Sequence, residues 1–363
     1  MLEKLARIVV VFTVLVAASM SFSGGRVKAA LKPVDYMGVR VVTHTSLEQK
    51  IALNLLAGNT KFSLTEFKEI KDMAYLGDRV NKVIAQNPLI LGVINFGYQY
   101  SSKSKVMTVQ YTENAARMKK KQQAIVNQSK RILDTLIKPK MTDRQKFKAI
   151  YDYLDVNAKY DFEAFNEGSV MLRDTDPKYW TAYNPYGVLV EKNGVCQSYA
   201  GSFQLLSTML GLNSVVVTGT MDGGGHSWNK VKLNGQWVHI DPTSNRTNNS
   251  IPYMLYEAND AFAKSIGYEE DKLYWTDNEI AMFASKGKLN DYYIQNKLVA
   301  GNLKELKDKI AEAKNRNSDF AYIRSEQKFS SNQVFAVLRE VTLLSKVSMT
   351  TSGNGKYMAL SLK

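Results

Sequence analysis

Residues 193–243 read NGVCQSYAGSFQLLSTMLGLNSVVVTGTMDGGGHSWNKVKLNGQWVHIDPT, from Asn193 to Thr243. After Cys196, the residues Tyr199, Phe203, Leu206 and Leu210 recur at the spacing of one helix face, and Gly211 supplies a C-terminal stop. The pattern predicts a helix that opens at or beside Cys196. Ser214–Thr218 (SVVVT) predicts a short buried strand, Met221–Gly225 (MDGGG) a flexible loop, and His226–Leu233 a second strand. Asn234-Gly235 is the signal of a two-residue type I′ turn, with Gln236–Asp241 as the returning strand. That turn sets Leu233 opposite Gln236 and so Trp228 opposite Asp241. His226 then lies on the same face as Trp228 and diagonal to Asp241, at a backbone separation of ~7–8 Å that side chains can span.

This arrangement carries chemistry. The first turn of a helix has unpaired amide groups and a partial positive charge, which favour an anion. A thiolate is such an anion, and placement there lowers a cysteine pKa from about 8.5 towards ~3.5–7.5. A cysteine so placed, with a histidine oriented by a carboxylate, is the layout of a nucleophile and its base. Cys196 is the one cysteine of the 363 residues, and the histidines are His44, His226 and His239. Spacing alone leaves plainer readings open. A lone cysteine can be a small buried hydrophobe, His226 can be a loop residue after three glycines, and Asp241-Pro242-Thr243 can be only a turn. His239, between Val238 and Ile240, fits the alternation of an ordinary strand and reads as structural.

Outward from this segment the pattern mixes helices and strands. Residues 46–57 and 65–86 read as helices, and Leu91–Tyr100 with Lys105–Tyr111 as a hairpin about a polar turn. Residues 115–137 form a long basic helix closed by Pro139. The next helix opens on a capping box, Thr142 with Gln145, and buries Phe147, Ile150, Tyr151 and Leu154 on one stripe. Towards the C-terminus, Leu303–Lys314 and Asn332–Ser345 read as helices. Asp319–Ile323 reads as a strand, and Val347–Thr351 with Tyr357–Leu362 as a hairpin. The fold class is α+β. The expected organisation is a signal peptide over residues 1–29, an N-terminal α+β region over 30–112, a catalytic core over 113–265 and a C-terminal α+β region over 266–363.

Three blocks of the segment resemble the core of the transglutaminase-like superfamily, a branch of the papain-like cysteine fold. They are Gly194-Val195-Cys196-Gln197-Ser198-Tyr199-Ala200, His226-Ser227-Trp228-Asn229 and Asp241-Pro242-Thr243. Ser198 stands where the family usually has glycine. The helix opening at Thr142, with AIYDYLDVNAKYD, resembles the lead-in helix of secreted Gram-positive members, and Asn184-Pro185-Tyr186-Gly187 resembles the segment just before the nucleophile block. The resemblance implies a nucleophile helix packed on an antiparallel sheet. It implies Cys196 as nucleophile, His226 as general base and acid, and Asp241 as the group that orients the imidazole. The thiolate would attack a carboxamide or peptide carbonyl, and an amine or water would resolve the thioester. The backbone amide of Cys196 is the expected oxyanion donor. A second donor or substrate contact is expected among Tyr186, Gln197 and Trp228. The substrate would be a protein or peptide. The rival readings are a cysteine peptidase or amidase on wall peptides or proteins, and a non-catalytic surface-binding protein. No cofactor and no metal are expected, since one cysteine excludes a cysteine zinc site and no EF-hand loop is readable.

The chain starts with the marks of export. Lys4 and Arg7 precede the apolar run Ile8–Ala18, and Val27-Lys28-Ala29-Ala30 suits signal peptidase. The run is shorter than the ~20 residues a spanning helix needs, so no stable membrane span is expected after cleavage, with an uncleaved membrane anchor as the alternative reading. Loss of Lys4, Arg7, Arg26 and Lys28 against Glu3 alone lowers the net charge from +14 to +11. A basic, disulfide-free exported protein suits a polyanionic cell wall, and the expected location is secreted, extracellular and wall-associated. No basic run with interleaved aromatics points to nucleic acid.

Overall fold

The computed structural model describes residues 31–101, 103–167, 175–245, 247, 251–271 and 281–363. The signal-peptide reading lies outside them. Strands β1 (Asp35–Tyr36) and β2 (Val39–Arg40) form a small hairpin before helix α1 (Ser46–Ala57), which is capped by Thr45 and closed by left-handed Gly58. Strand β3 (Lys61–Ser63) follows, then helix α2 (Met73–Gln86). Helix α2 begins later than residue 65. The Lys105 ammonium takes the carbonyls of Phe67 and Ile70, and the Asp72 carboxylate caps at the Tyr75 N–H. Carbonyls committed to a lysine are not free for a helical ladder. Strands β4 (Val93–Tyr100) and β5 (Lys105–Tyr111) form the expected hairpin, and β3 adds to β5 in the order β3-β5-β4. Helix α3 (Ala115–Leu136) completes this part.

The central part opens with helix α4 (Asp143–Asn157), whose Thr142–Gln145 capping box is present and whose stripe Phe147, Ile150, Tyr151 and Leu154 is buried. Strand β6 (Lys159–Tyr160) leads into the short helix α5 (Phe162–Glu167). After a 3-10 turn at Pro177–Tyr183 and a π turn at Gly187–Glu191, strand β7 (Asn193–Gly194) pairs in parallel with β6. Helix α6 (Cys196–Met209) starts directly after it. Strands β8 (Ser214–Met221), β9 (Gly224–Leu233), β10 (Gln236–Ile240) and β11 (Tyr256–Ala258) follow, then helix α7 (Asp260–Ser265) and strand β12 (Tyr268–Glu270). They build an antiparallel sheet ordered β11-β10-β9-β8-β12, across which α6 packs.

Two registers decide the site. The β9–β10 pairing runs from Gln236 opposite Leu233 to Ile240 opposite Asn229, as the Asn234-Gly235 turn requires. Both turn residues have positive φ, 50° and 82°. The MDGGG stretch, in contrast, is no open loop. Asp222 and Gly223, at φ 51° and 81°, form a second tight turn, and Met221 pairs directly with Gly224. Both strands therefore continue to the turn, which fixes His226 within a paired strand opposite Gly219.

Ile51, Leu76, Val80, Phe147, Phe203 and Trp228 share one apolar core. The Phe147 and Phe203 rings stack at 5.9 Å. Each buried Phe or Leu side chain contributes about 1.5–3 kcal/mol relative to exposure. The C-terminal part comprises helix α8 (Tyr292–Gln295), strand β13 (Val299–Ala300), helix α9 (Leu303–Asn315), strand β14 (Phe320–Ser325), helix α10 (Ser331–Thr342) and strands β15 (Met349–Ser352) and β16 (Tyr357–Ser361). Its sheet is ordered β13-β14-β16-β15 over a second core that includes Leu306, Ile310 and Leu338. No helix of the described residues is long and apolar enough to cross a membrane.

Candidate active site

Cys196 is the first residue of α6, preceded by the extended Val195, which offers no side-chain cap. The Ser198 N–H turns back to the Val195 carbonyl at 2.9 Å, and no side chain of Val195 caps the N–H groups of Cys196 and Gln197 before it. The parallel β6–β7 pair sets Tyr160 opposite Gly194, two residues before the thiol. Close packing fixes that approach, since a Cβ on Gly194 would lie 2.8 Å from Ser198 Oγ and 3.0 Å from Val188 Cγ2. The Cys196 side chain is 8% exposed.

The β8–β9–β10 registers bring His226 to that thiol and Asp241 to the histidine. His226 Nε2 meets Asp241 Oδ2 at 2.8 Å, which leaves Nδ1 for the sulfur, the other hydrogen-bond partner of the ring. Asp241 is wholly buried and heavily hydrogen-bonded. Its Oδ2 accepts from the Tyr268 hydroxyl at 2.6 Å and the Ser244 hydroxyl at 3.3 Å. Its Oδ1 accepts from the Thr243 N–H at 2.9 Å and from the Thr243 hydroxyl.

These contacts set the charges. Burial works against the Asp241 carboxylate, but the His226 charge and hydrogen bond, with Thr243 and Tyr268, hold its pKa below the usual carboxylate value. Burial also disfavours charged His226, yet Asp241, through charge and hydrogen bond, and the thiol push its pKa up to about 10. Burial would raise the Cys196 pKa. The His226 hydrogen bond and charge, with the Ser227 N–H, bring it below its ordinary value despite the Asp241 charge. The two shifts, thiol down and imidazole up, both favour the thiolate–imidazolium form, and the two groups titrate as a unit.

Sequence spacing brought these three residues forward but missed the groups around them. The Tyr160 hydroxyl hydrogen-bonds both the side chain and the backbone amide of Cys196, and burial holds its pKa well above the ordinary phenol value. The signal for it was Lys159-Tyr160-Asp161, the residues that follow the lead-in helix. Tyr186 does not take that place. Its ring lies under the Lys121 ammonium at 5.3 Å, away from the cleft that holds His226. Gln197 is exposed and lines a different, smaller hollow with Asn184 and Ser227.

Trp228 is fully buried, so it is no substrate contact. Its ring stacks with that of His226, with centroids 6.0 Å apart, and its Nε1–H donates to His239 Nδ1 at 2.9 Å. The remaining His239 nitrogen, Nε2, faces Asp260 Oδ1 at 2.8 Å, which fixes one neutral tautomer beneath the site. Burial lowers the His239 pKa, consistent with that neutral ring.

His239, Asp260 and Glu270 present ligand atoms within 4.8 Å of one another. The Lys230 ammonium lies among them, 2.9 Å from Asp260 and 2.5 Å from Glu270. A buried lysine thus supplies the positive charge those carboxylates need.

A buried cysteine at a helix start, hydrogen-bonded to a histidine that a carboxylate orients, over an antiparallel sheet, defines the class of papain-like cysteine folds. The family model of the transglutaminase-like superfamily matches residues 130–242, a span that takes in Cys196, His226 and Asp241. This part of the chain is a transglutaminase-like domain.

Kyphoscoliosis peptidase of Mus musculus is 27% identical over 124 residues, 31% of this chain and 17% of that protein. The Homo sapiens protein of the same name is 26% identical over an equal span, with the same shares. The match thus covers 17% of the length of these curated relatives. Among solved structures, a TGase crystal structure is 17% identical, covers 50% of each chain and gives a TM-score of 0.30. The periplasmic domain of TgpA from Pseudomonas aeruginosa is 14% identical, covers 39% of this chain and 55% of its own, and gives 0.23.

Proposed function

We propose that this protein is an extracytoplasmic thiol acyltransferase of the transglutaminase-like type, acting on carboxamide or peptide carbonyls of proteins or peptides. The observation that carries the reading is the buried chain Cys196–His226–Asp241, with its thiol pKa lowered and its imidazole pKa raised. The thiolate attacks the carbonyl carbon. The negative charge that develops on oxygen is received by the Cys196 N–H, with the Tyr160 hydroxyl as second donor. The imidazolium gives its proton to the departing nitrogen, the C–N bond breaks, and a thioester remains on Cys196. His226, now neutral, takes a proton from an incoming amine or water, whose attack breaks the C–S bond, releases the acyl group and restores the thiolate–imidazolium pair. Asp241 holds the ring and its charge throughout.

A second reading is hydrolysis, as a cysteine peptidase or amidase. It is favoured by the matched curated relatives, which are named peptidases. The intact Cys, His and Asp constellation argues against a purely non-catalytic surface protein. One incubation separates the two reactions. The purified protein is mixed with a glutamine-rich protein and a labelled primary amine, with Cys196→Ala as control. Thiol-dependent incorporation of label supports transfer, and thiol-dependent fragments without label support hydrolysis. Neither product, in the presence of a reactive Cys196, counts against both. The basic charge and the apolar leader support an extracytoplasmic, wall-associated location.

A further inference from the structure

The cleft in front of His226 has a volume of about 240 Å³. Its walls include Tyr160, Phe162, Phe165 and Met221, and its rim includes Gly224 and Gly225. Among the described residues that line it, none carries a carboxylate or ammonium, and His226 is the one with an imidazole. Phe162 and Phe165 project from the short helix α5 and are 55% and 49% exposed, although both rings also pack on Tyr160, at 5.0 and 5.9 Å. Two phenylalanines half-exposed beside a buried ion pair leave apolar surface that a bound group can cover.

We propose that this cleft is a subsite for one uncharged aromatic or aliphatic side chain of the acyl donor, next to the attacked carbonyl. The proposal rests on the reading of Cys196 as nucleophile and adds a substrate class to it. Size and polarity both support it. The volume is below the ~300–1,000 Å³ of pockets that hold whole small ligands, and suits a single side chain. A carboxylate or ammonium placed there would lose water and, among the described wall residues, would find no charge but the His226 imidazolium. That imidazolium is already held by Asp241 and the thiol.

The test uses peptidyl acyloxymethyl ketones that differ only in the residue beside the reactive group, Leu, Phe, Asp or Lys. Iodoacetamide serves as the reagent without a side chain. The readout is the rate of mass increase on Cys196. The Leu and Phe probes are expected to react about 10–100-fold faster than the Asp and Lys probes, the range that one apolar contact in a pocket discriminates. Phe165→Ala is expected to cut that preference at least several-fold. Met221→Ala, which removes a second apolar wall, is expected to cut it further. Equal rates for the four probes on the parent protein overturn the subsite. So does a preference that survives both substitutions. If iodoacetamide and every probe leave Cys196 unmodified, the reading of the thiol as nucleophile fails, and the subsite with it.

Discussion

At Cys196, burial and a charged partner act in opposite directions on one thiol, and the partner prevails. Cys196→Ala is expected to bring turnover to background while circular dichroism stays that of the parent, since only one small side chain is shortened. Retained turnover in that variant would remove the thiol from the chemistry. The pH dependence follows from the same pair. The thiolate is present above its lowered pKa, and the imidazolium survives until pH rises through about 10. Activity is expected to rise through the lowered thiol pKa, then fall along an alkaline limb near 10 as the ring loses its proton. Asp241→Asn removes the charge that raised the imidazole pKa, so that limb should move downward by one unit or more. Turnover should drop steeply, towards the roughly 10⁴-fold loss known for the comparable change in a serine triad. A pH–rate profile of the variant that keeps the parent's alkaline limb would show that Asp241 does not set the charge of His226. Cys196, His226 and Asp241 were legible because a helix signal and a two-residue turn place them by local rules. Ser227, whose N–H meets the sulfur, and Tyr268, whose hydroxyl meets Asp241, were not, because those contacts come from tertiary packing.

At the scale of elements, the β8–β12 pairing carries Tyr268 to Asp241, and Gly219 makes that pairing possible. A Cβ on Gly219 would lie 2.0 Å from the Glu269 carbonyl oxygen and 2.9 Å from the Trp228 ring. Gly219→Ala is expected to destabilise the fold by about 1–3 kcal/mol, the usual cost of overpacking. It should also lower turnover by shifting Tyr268 off Asp241. Calorimetry and rates on the purified variant check both effects, and an unchanged melting midpoint would mean that β12 moves freely. The β9–β10 hairpin was legible from Asn234-Gly235 alone, and the capping box of α4 from Thr142 and Gln145. The tight turn at Asp222-Gly223 was read as a loop, because three successive glycines look like slack when the strand pairing is not in view. The late start of α2 was hidden for a similar reason, since Lys105, more than thirty residues further on, takes the carbonyls of Phe67 and Ile70.

For the whole molecule, composition spoke about surroundings and elements, and little about assembly. The C-terminal helices and hairpin were legible, but not that β13 pairs in parallel with β14 or that β16 lies between β14 and β15. Such orders depend on chain closure over long separations. On the proposal of export, the net charge of +14, or +11 without residues 1–29, is expected to hold the protein on an anionic wall. Screening at physiological ionic strength acts over about 8 Å, so a high-salt wash of the wall fraction should release it. Protein that resists molar salt, or that stays in membranes with residues 1–29 attached, would contradict that view. A single cysteine in 363 residues also makes the decisive measurement simple. The protein is mixed with a glutamine-containing peptide without an acceptor amine, quenched in acid within the first turnovers, and its intact mass recorded. A transient adduct is expected, equal to the peptide less ammonia (or to its acyl fragment if a backbone amide is cut). The adduct should map to Cys196, be released by hydroxylamine and be absent from Cys196→Ala. Turnover of the same peptide with no adduct on Cys196, or undiminished turnover by Cys196→Ala, would contradict the reading of Cys196 as nucleophile.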